Sequence, residues 1–437
     1  MKKLSIILIS VIIIFALLSG YFYYFNNSKT QQEGIVKSLV DFFPSSDTKI
    51  INTDGSISDP STTGGENVSL SQDNTALTTK FQQISENPIA GAAIVTIKAT
   101  SAKALPTSVV WLIEKATGYV FSYDQGTAKK QISNTTWVGG QEVYWGEVNA
   151  SPSFILRRSK NSSIENFLAH LSGAGATSSQ PGILSGINLD SNISAFTSSP
   201  KKDRYFYLVS SPSGSIGYLA NFNQTSVPVQ IFSSPYSQWK VSWPEENTII
   251  FQSAPTADQP GLVYALNIKS KSFTRILGGV LGLTSLTSPD GQKIVYSGGL
   301  SALRIKKIGK EGSEIDLSLA TLPEKCVWSK DSVRIFCSVP NSIPFGNYPD
   351  TWYQGLVNFT DSIWEINTLT GANRQIYSPA SAAEKYQIDG INLFLSKDET
   401  KLFLTNKTDY TLWRLLLVDQ ASFVISVSSS TTATTTQ

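Results

Sequence analysis

Five stretches of the chain join a tight polar turn to an apolar strand and align without gaps: Ser199–Tyr207, Trp243–Phe251, Ser288–Tyr296, Ser329–Cys337 and Ser396–Leu404. Trp137–Trp145 fits the same pattern more loosely. The turn halves carry Pro, Asp, Gly and Lys, while the strand halves are apolar at consecutive positions, as in Ile294-Val295-Tyr296 and Leu402-Phe403-Leu404. Proline at the second turn position presets φ, and Asp-Gly supports a reversal. A strand apolar on both faces must be covered on both faces. Further strands follow at Leu262–Ile268, Ala302–Ile308, Ser362–Asn367 and Thr411–Val418, with shorter ones at Phe273–Leu277, Glu314–Leu317 and Arg374–Tyr377. Adding the strand before each turn gives four strands per unit, and the units recur about every 44 residues. That period predicts an all-β propeller, with antiparallel four-stranded blades packed face to face around an axis. An earlier unit, with strands near Ala92–Ile97, Val109–Ile113, Tyr119–Tyr123 and Lys129–Ile132, brings the expectation to seven blades over residues 77–427. A string of immunoglobulin-like sandwiches would repeat at about 100 residues, which the shorter period disfavours.

The turn motif resembles the repeat of TolB-type (WD-like) propellers, whose blades carry Trp-Ser-Pro-Asp-Gly-Lys-like turns. Ser288-Pro289-Asp290-Gly291 is the nearest match, and Trp328-Ser329-Lys330-Asp331 and Leu395-Ser396-Lys397-Asp398 match in part. The resemblance covers roughly residues 193–418 and implies a fold and an interaction platform; blades of this kind serve many roles. No match to that family's separate N-terminal domain is visible. Two segments compete to close the ring: Lys80–Ser85, which resembles Lys129–Ser133, and Ser422–Val427.

The first residues point to a membrane. Lys2 and Lys3 precede an uncharged apolar run, Leu4–Phe25, with Tyr21, Tyr23 and Tyr24 at its far end. About 20 such residues span a bilayer as a helix. The lysines place residues 1–3 in the cytoplasm and the remainder outside the membrane. The expectation is a retained signal anchor over 4–25; the alternative is a cleaved signal peptide. Residues 26–76, with Asp59–Gly65 the most repetitive part, are expected to be a flexible linker, and 428–437 a disordered tail.

Composition narrows the chemistry. Only 16% of the 437 residues are charged, against about 25% in an ordinary soluble domain. Without Lys2 and Lys3, the 35 basic residues fall to 33, equal to the 33 acidic ones, so nucleic acid is not an expected partner. The only histidine, His170, is expected to be structural; no metal site, cofactor or catalytic residue is expected, and the chain reads as leaning away from an enzyme. Cys326 and Cys337 flank the Ser329 turn where other units place apolar pairs such as Phe196 with Tyr207. They should face each other across two strands and form a disulfide; two buried thiols are the alternative. Aromatics at Trp111, Tyr119, Phe121, Tyr123, Trp137, Tyr144 and Trp145 are expected in the core between blades.

Extra length falls at 341–361 and 172–192, both expected on the face opposite the aligned turns. The 341–361 insertion carries Phe345, Tyr348, Trp352, Tyr353 and Phe359 with little charge. These are candidate binding residues for an envelope protein or glycan; the alternative folds them inward as a lid. The expected function is a membrane-anchored, extracytoplasmic binding platform at the cell surface or in the periplasm. Its alternatives are a propeller enzyme acting on a glycan through carboxylates at the channel mouth, and a scaffold subunit of an envelope complex.

Overall fold

The computed structural model describes residues 81–417, apart from 98–106, 124–128, 149–150, 162, 173–180, 225, 310–313 and 380–385. The Leu4–Phe25 run, the linker, the C-terminal tail and Ser422–Val427 lie outside the described residues. No described helix is long and apolar enough to cross a membrane.

Seven four-stranded antiparallel sheets follow one another along the chain as blades of a propeller. Six consist of four consecutive strands. The seventh takes Gly390–Leu395, Lys401–Asn406 and Leu412–Leu416 from the end of the chain and borrows its outermost strand, Phe81–Gln83, from the beginning. Phe81, Gln82 and Gln83 pair with Leu415, Arg414 and Trp413, so the Lys80–Ser85 segment closes the ring. Phe81 is buried, stacked on Trp413 with ring centroids 5.1 Å apart and against Tyr377 at 4.2 Å.

First strands of neighbouring blades lie side by side and therefore face the axis. The second strands carry the burial their sequences demand: the middle residues of Thr248–Ser253, Lys293–Gly298 and Lys401–Asn406 are all buried. Most apolar clusters draw on two adjacent blades. Phe206 of blade 3 packs with Trp239 and Phe251 of blade 4, and Val110 and Leu112 of blade 1 pack with Phe403 of blade 7. Trp111 is 3% exposed, Tyr144 packs on Phe196, and Trp145 packs on Phe154, in keeping with a place between blades.

Four of the five repeated turns share one geometry. In blade 5, the backbone N–H of Ser288 donates to Lys293 O and that of Gly291 to Ser288 O, both at 2.9 Å. Ser288 Oγ donates to Asp290 Oδ1 at 2.5 Å. The same serine–aspartate pair recurs at Ser329 with Asp331 and at Ser396 with Asp398. The fourth turn position is left-handed in four of the five turns, at Lys202 (φ 60°), Gly291 (67°), Ser332 (58°) and Glu399 (55°), whereas the Trp243 turn departs from the pattern and pairs Glu245 with Thr248. Only glycine takes that conformation without steric cost. The other side chains gain contacts with the preceding blade. Ser332 O accepts from Lys293 Nζ, and Ser332 Oγ accepts from the N–H of Asp290. Glu399 accepts from Lys330 N–H and from Arg334 at 3.0 Å. The N–H of Glu147 donates to Lys202 O at 2.6 Å. A chain of turn-to-turn contacts therefore runs along one face of the ring.

Two expectations need correction. Trp137–Trp145 is no turn: most of it belongs to the first strand of blade 2, Gly140–Val148, and the second strand begins at Ser151. Misplacing that turn also misplaced the 172–192 segment. Ile183–Leu189 is the fourth strand of blade 2, so the extra length sits between its third and fourth strands, at the end where the short turns lie. The physical reason is the length of the two middle strands, Ser151–Lys160 and Ser163–Ser172, at ten residues each. By contrast, 341–361 does join the second strand of blade 6, Arg334–Pro340, to its third, Asp361–Asn367.

Cys326 and Cys337 are direct register partners, with Cα atoms 4.1 Å apart and the sulfurs bonded. Mass spectrometry of unreduced, alkylated protein should find no modified thiol, and reduction should lower unfolding stability by about 2–3 kcal/mol through the short loop released. Ring closure has its own test. Phe81→Ala should cost about 3–5 kcal/mol in urea unfolding; a loss under about 1 kcal/mol, as for an ordinary surface position, would show that the borrowed strand does not latch the ring.

Candidate functional site

The insertion of blade 6 lies on the face opposite the short turns, because the second-to-third loops and the blade-to-blade connections share that end of each sheet. Its sequence explains its shape. Pro349 precedes a single helical turn, Asp350–Tyr353. Thr351 Oγ1 accepts from Asn347 N–H at 2.9 Å and donates to Asn347 O at 3.0 Å, which closes the loop on itself. Gly282 and Gly299 of the neighbouring blade make room for the backbone, since a Cβ on either would lie within 2.9 Å of Tyr348 O. Asp350 Oδ2 reaches blade 4, accepting from Ala257 N–H at 2.5 Å. On the other side, Lys407 Nζ of blade 7 donates to Asn358 Oδ1 at 3.5 Å. The insertion thus spans from blade 4 to blade 7.

Beneath it lies a charged cluster sealed from water. Lys325, Asp361 and Asp389 are each 0% exposed. Lys325 Nζ donates to Asp361 Oδ2 at 2.8 Å and to Asp389 Oδ1. Asp389 Oδ2 accepts from Trp352 Nε1 at 2.8 Å and from Phe359 N–H at 3.1 Å. Asp361 Oδ2 accepts from Gly390 N–H at 2.7 Å, whereas Asp361 Oδ1 has no partner among the described residues. The rings of Trp352 and Phe359 stand 5.2 and 5.0 Å from the Lys325 ammonium. A desolvated cation against aromatic faces is held by the ring quadrupoles. Burial raises the Asp361 pKa to about 6, against the pull of Lys325 and with further help from the Asp389 charge. One ammonium cannot cheaply neutralise two dry carboxylates.

The five candidate aromatics therefore divide. Trp352 and Phe359 are buried and belong to the fastening, as the inward-folding alternative holds. Tyr348 packs on Phe359 and donates to Pro344 O at 2.7 Å. Phe345 is fully exposed, and Ile343 and Leu356 of the same insertion are exposed as well. Tyr353 sits at the rim of the axial channel: its hydroxyl donates to Glu324 Oε1, and Lys240 Nζ donates to Glu324 Oε2 at 2.7 Å and to the Tyr353 hydroxyl at 3.3 Å. Partial burial, followed by the Glu324 and Asp350 charges, holds the Tyr353 phenol well above its ordinary pKa. A cavity of about 120 Å³ opens next to Lys240 and Glu324, lined also by Ser242, Gln252, Thr284 and Ser285. Sequence reasoning missed Lys325, Asp361, Asp389, Lys240 and Glu324. They are far apart along the chain, and no spacing links them; the one visible signal is the aspartate that ends the insertion.

His170 stands directly opposite Ser153 in blade 2, with Nδ1 2.7 Å from Ser153 Oγ. Burial lowers its pKa. Ser153 is 1% exposed, so the pair ties two strands together, and the other ring nitrogen of His170 lies 3.3 Å from Gln224 Nε2 of blade 3. Among the described residues, no group of three or more His, Cys, Asp or Glu converges.

No family model and no curated protein matches the chain. Solved structures share its fold at low identity. TolB from Acinetobacter baumannii aligns over 65% of this chain and 62% of its own, with 13% identity and a TM-score of 0.39, so the match spans less than two thirds of TolB. The WD40 domain of Neurospora crassa Pan2 aligns over 78% of this chain and 96% of its own, with 11% identity and a TM-score of 0.47. An oligogalacturonate lyase in complex with manganese aligns over 77% and 98%, with 10% identity and a TM-score of 0.47.

The buried cluster predicts a pH response. An acid whose folded pKa is raised stabilises the fold most below its unfolded pKa, 3.8 for Asp361, and loses that contribution as pH rises through about 6. Asp361→Asn removes this titration. Its stability relative to wild type should therefore improve by about 2–3 kcal/mol between pH 4 and pH 7, read from urea unfolding at each pH. A difference that stays flat, or moves the other way, would show that Asp361 is ionised throughout.

Proposed function

We propose that the chain is a binding platform whose working surface is the insertion-bearing face of the propeller, and that Leu4–Phe25 anchors it in a membrane with the propeller outside the cytoplasm. The observation that carries this reading is the contrast within one loop. Trp352 and Phe359 lock it down over a buried ion cluster, while Ile343, Phe345 and Leu356 point outward and Tyr353 stands at the channel rim. Apolar side chains left exposed on a fixed support gain free energy when a partner covers them. Fixing the loop in advance lowers the entropy cost of association. An envelope protein is the partner class this surface fits, with a glycan stacking on Phe345 as the alternative ligand.

The enzyme reading has less support. The two close carboxylates on this side, Asp361 and Asp389, are sealed and share Lys325, so a substrate cannot reach them. The scaffold reading differs from the platform reading only in the stoichiometry of the partner.

Phe345→Ser with Leu356→Ser should leave the melting temperature within about 2 °C of wild type, because both residues are exposed. The double variant should lose at least about tenfold in affinity for the partner that co-purifies from solubilised membranes, a difference of about 1.4 kcal/mol. Unchanged co-purification would move the working surface elsewhere.

A further inference from the structure

The short-turn face holds a second concavity, of about 200 Å³, unrelated to the insertion. Blades 1 and 2 contribute the ends of their innermost strands, with Thr96 and Glu147. Blades 3 and 7 contribute their turns, with Lys201, Lys202 and Lys397. The backbone decides where these lysines go. Lys202 occupies the left-handed turn position, and its ammonium reaches the Ile94 carbonyl only at 3.5 Å. Lys397 Nζ donates to Thr96 Oγ1. Burial holds the Lys202 pKa below its ordinary value; Glu147 opposes that shift and the Lys397 charge adds to it.

Two ammonium groups, those of Lys202 and Lys397, thus face one carboxylate, Glu147, in the recess, while Lys201 at its edge lies 3.7 Å from Glu246. Like charges gathered in a concave, partly dry site raise each other's energy, and a bound anion removes that cost. Two ammonium donors with a threonine hydroxyl match the charge and acceptor number of a phosphate group better than those of a single carboxylate. We propose that this concavity binds a phosphate group through Lys202, Lys397 and Thr96, with Lys201 at its edge. The site stands on different residues and a different face from the platform surface, so either can fail without the other.

The test uses the full chain in mild non-ionic detergent and inorganic phosphate exchanged for chloride at constant ionic strength. The melting temperature should rise saturably with phosphate, as for any ligand that binds only the folded state. Lys202→Met and Lys397→Met should each weaken the apparent affinity at least about tenfold, while Lys269→Met, on an exposed turn of blade 4, should not. Acetic anhydride labelling read by mass spectrometry gives a second measure on wild-type protein, independent of how the variants fold: phosphate should protect Lys202 and Lys397 relative to Lys269. No saturable shift and no protection would overturn the proposal, as would a shift that survives in the Lys202→Met, Lys397→Met double variant. Mixed micelles of the same detergent with phosphatidylglycerol or phosphatidylcholine separate the sources. Protection of Lys202 and Lys397 by phosphatidylglycerol but not by phosphatidylcholine would make the ligand a lipid headgroup, and protection by inorganic phosphate with none from phosphatidylglycerol would make it soluble. Equal protection by both lipids, with no phosphate effect of its own, would overturn the proposal.

Discussion

Strands that are apolar on both faces set the terms for everything else in this molecule. Thr248–Ser253 and Lys401–Asn406 leave no side for water, so each sheet needs a neighbour on both sides. A linear stack would leave two end sheets exposed, and a closed ring leaves none. Closure then requires the ends of the ring to be joined, which the pairing of Phe81–Gln83 with Leu412–Leu416 achieves. The cores lie between blades rather than within them, so the blades are stable only together.

The two faces of the ring do different work. On one, short turns reach to the blade before them, as Glu399 does to Arg334 and Glu246 does to Arg204. Contacts of this kind leave little room for loop variation. On the other face, the loop of blade 6 carries the extra length and reaches from blade 4 to blade 7. What it needs in exchange is a fastening of its own. Lys325, Asp361 and Asp389 provide one, drawn from the start of blade 6, the end of the insertion and the entry to blade 7.

The ring was legible from the chain because its cause is local and repeated. The serine–aspartate turn and the apolar run that follows it recur in register, and Gly291 occupies the left-handed position that explains its motif. Reading failed where the repeat was weakest. Blade 2 lacks that turn, and its long middle strands hid the true position of Ser151, which in turn put the 172–192 segment on the wrong face. The candidate aromatics were found by composition, but their directions were not, because a loop has no period. Trp352 points inward and Phe345 outward, seven residues apart, for reasons that lie in Asp389 and Lys325. Those partners are joined only by the fold.

A buried ion cluster is a poor means of stabilising a loop. Well-packed apolar side chains of similar volume would serve as well or better, since dry charges lose more hydration than they regain. What charges offer is discrimination among arrangements. An apolar plug tolerates slippage, whereas Lys325 must meet both carboxylates, and Asp389 must at the same time accept from Trp352 and Phe359. A loop shifted by one residue would leave a charge unpaired in a dry site, at a cost of several kcal/mol. The cluster therefore makes sense if the position of the insertion matters more than its contribution to stability. That condition fits the proposed reading, in which the outward residues of the loop meet a partner surface of fixed shape.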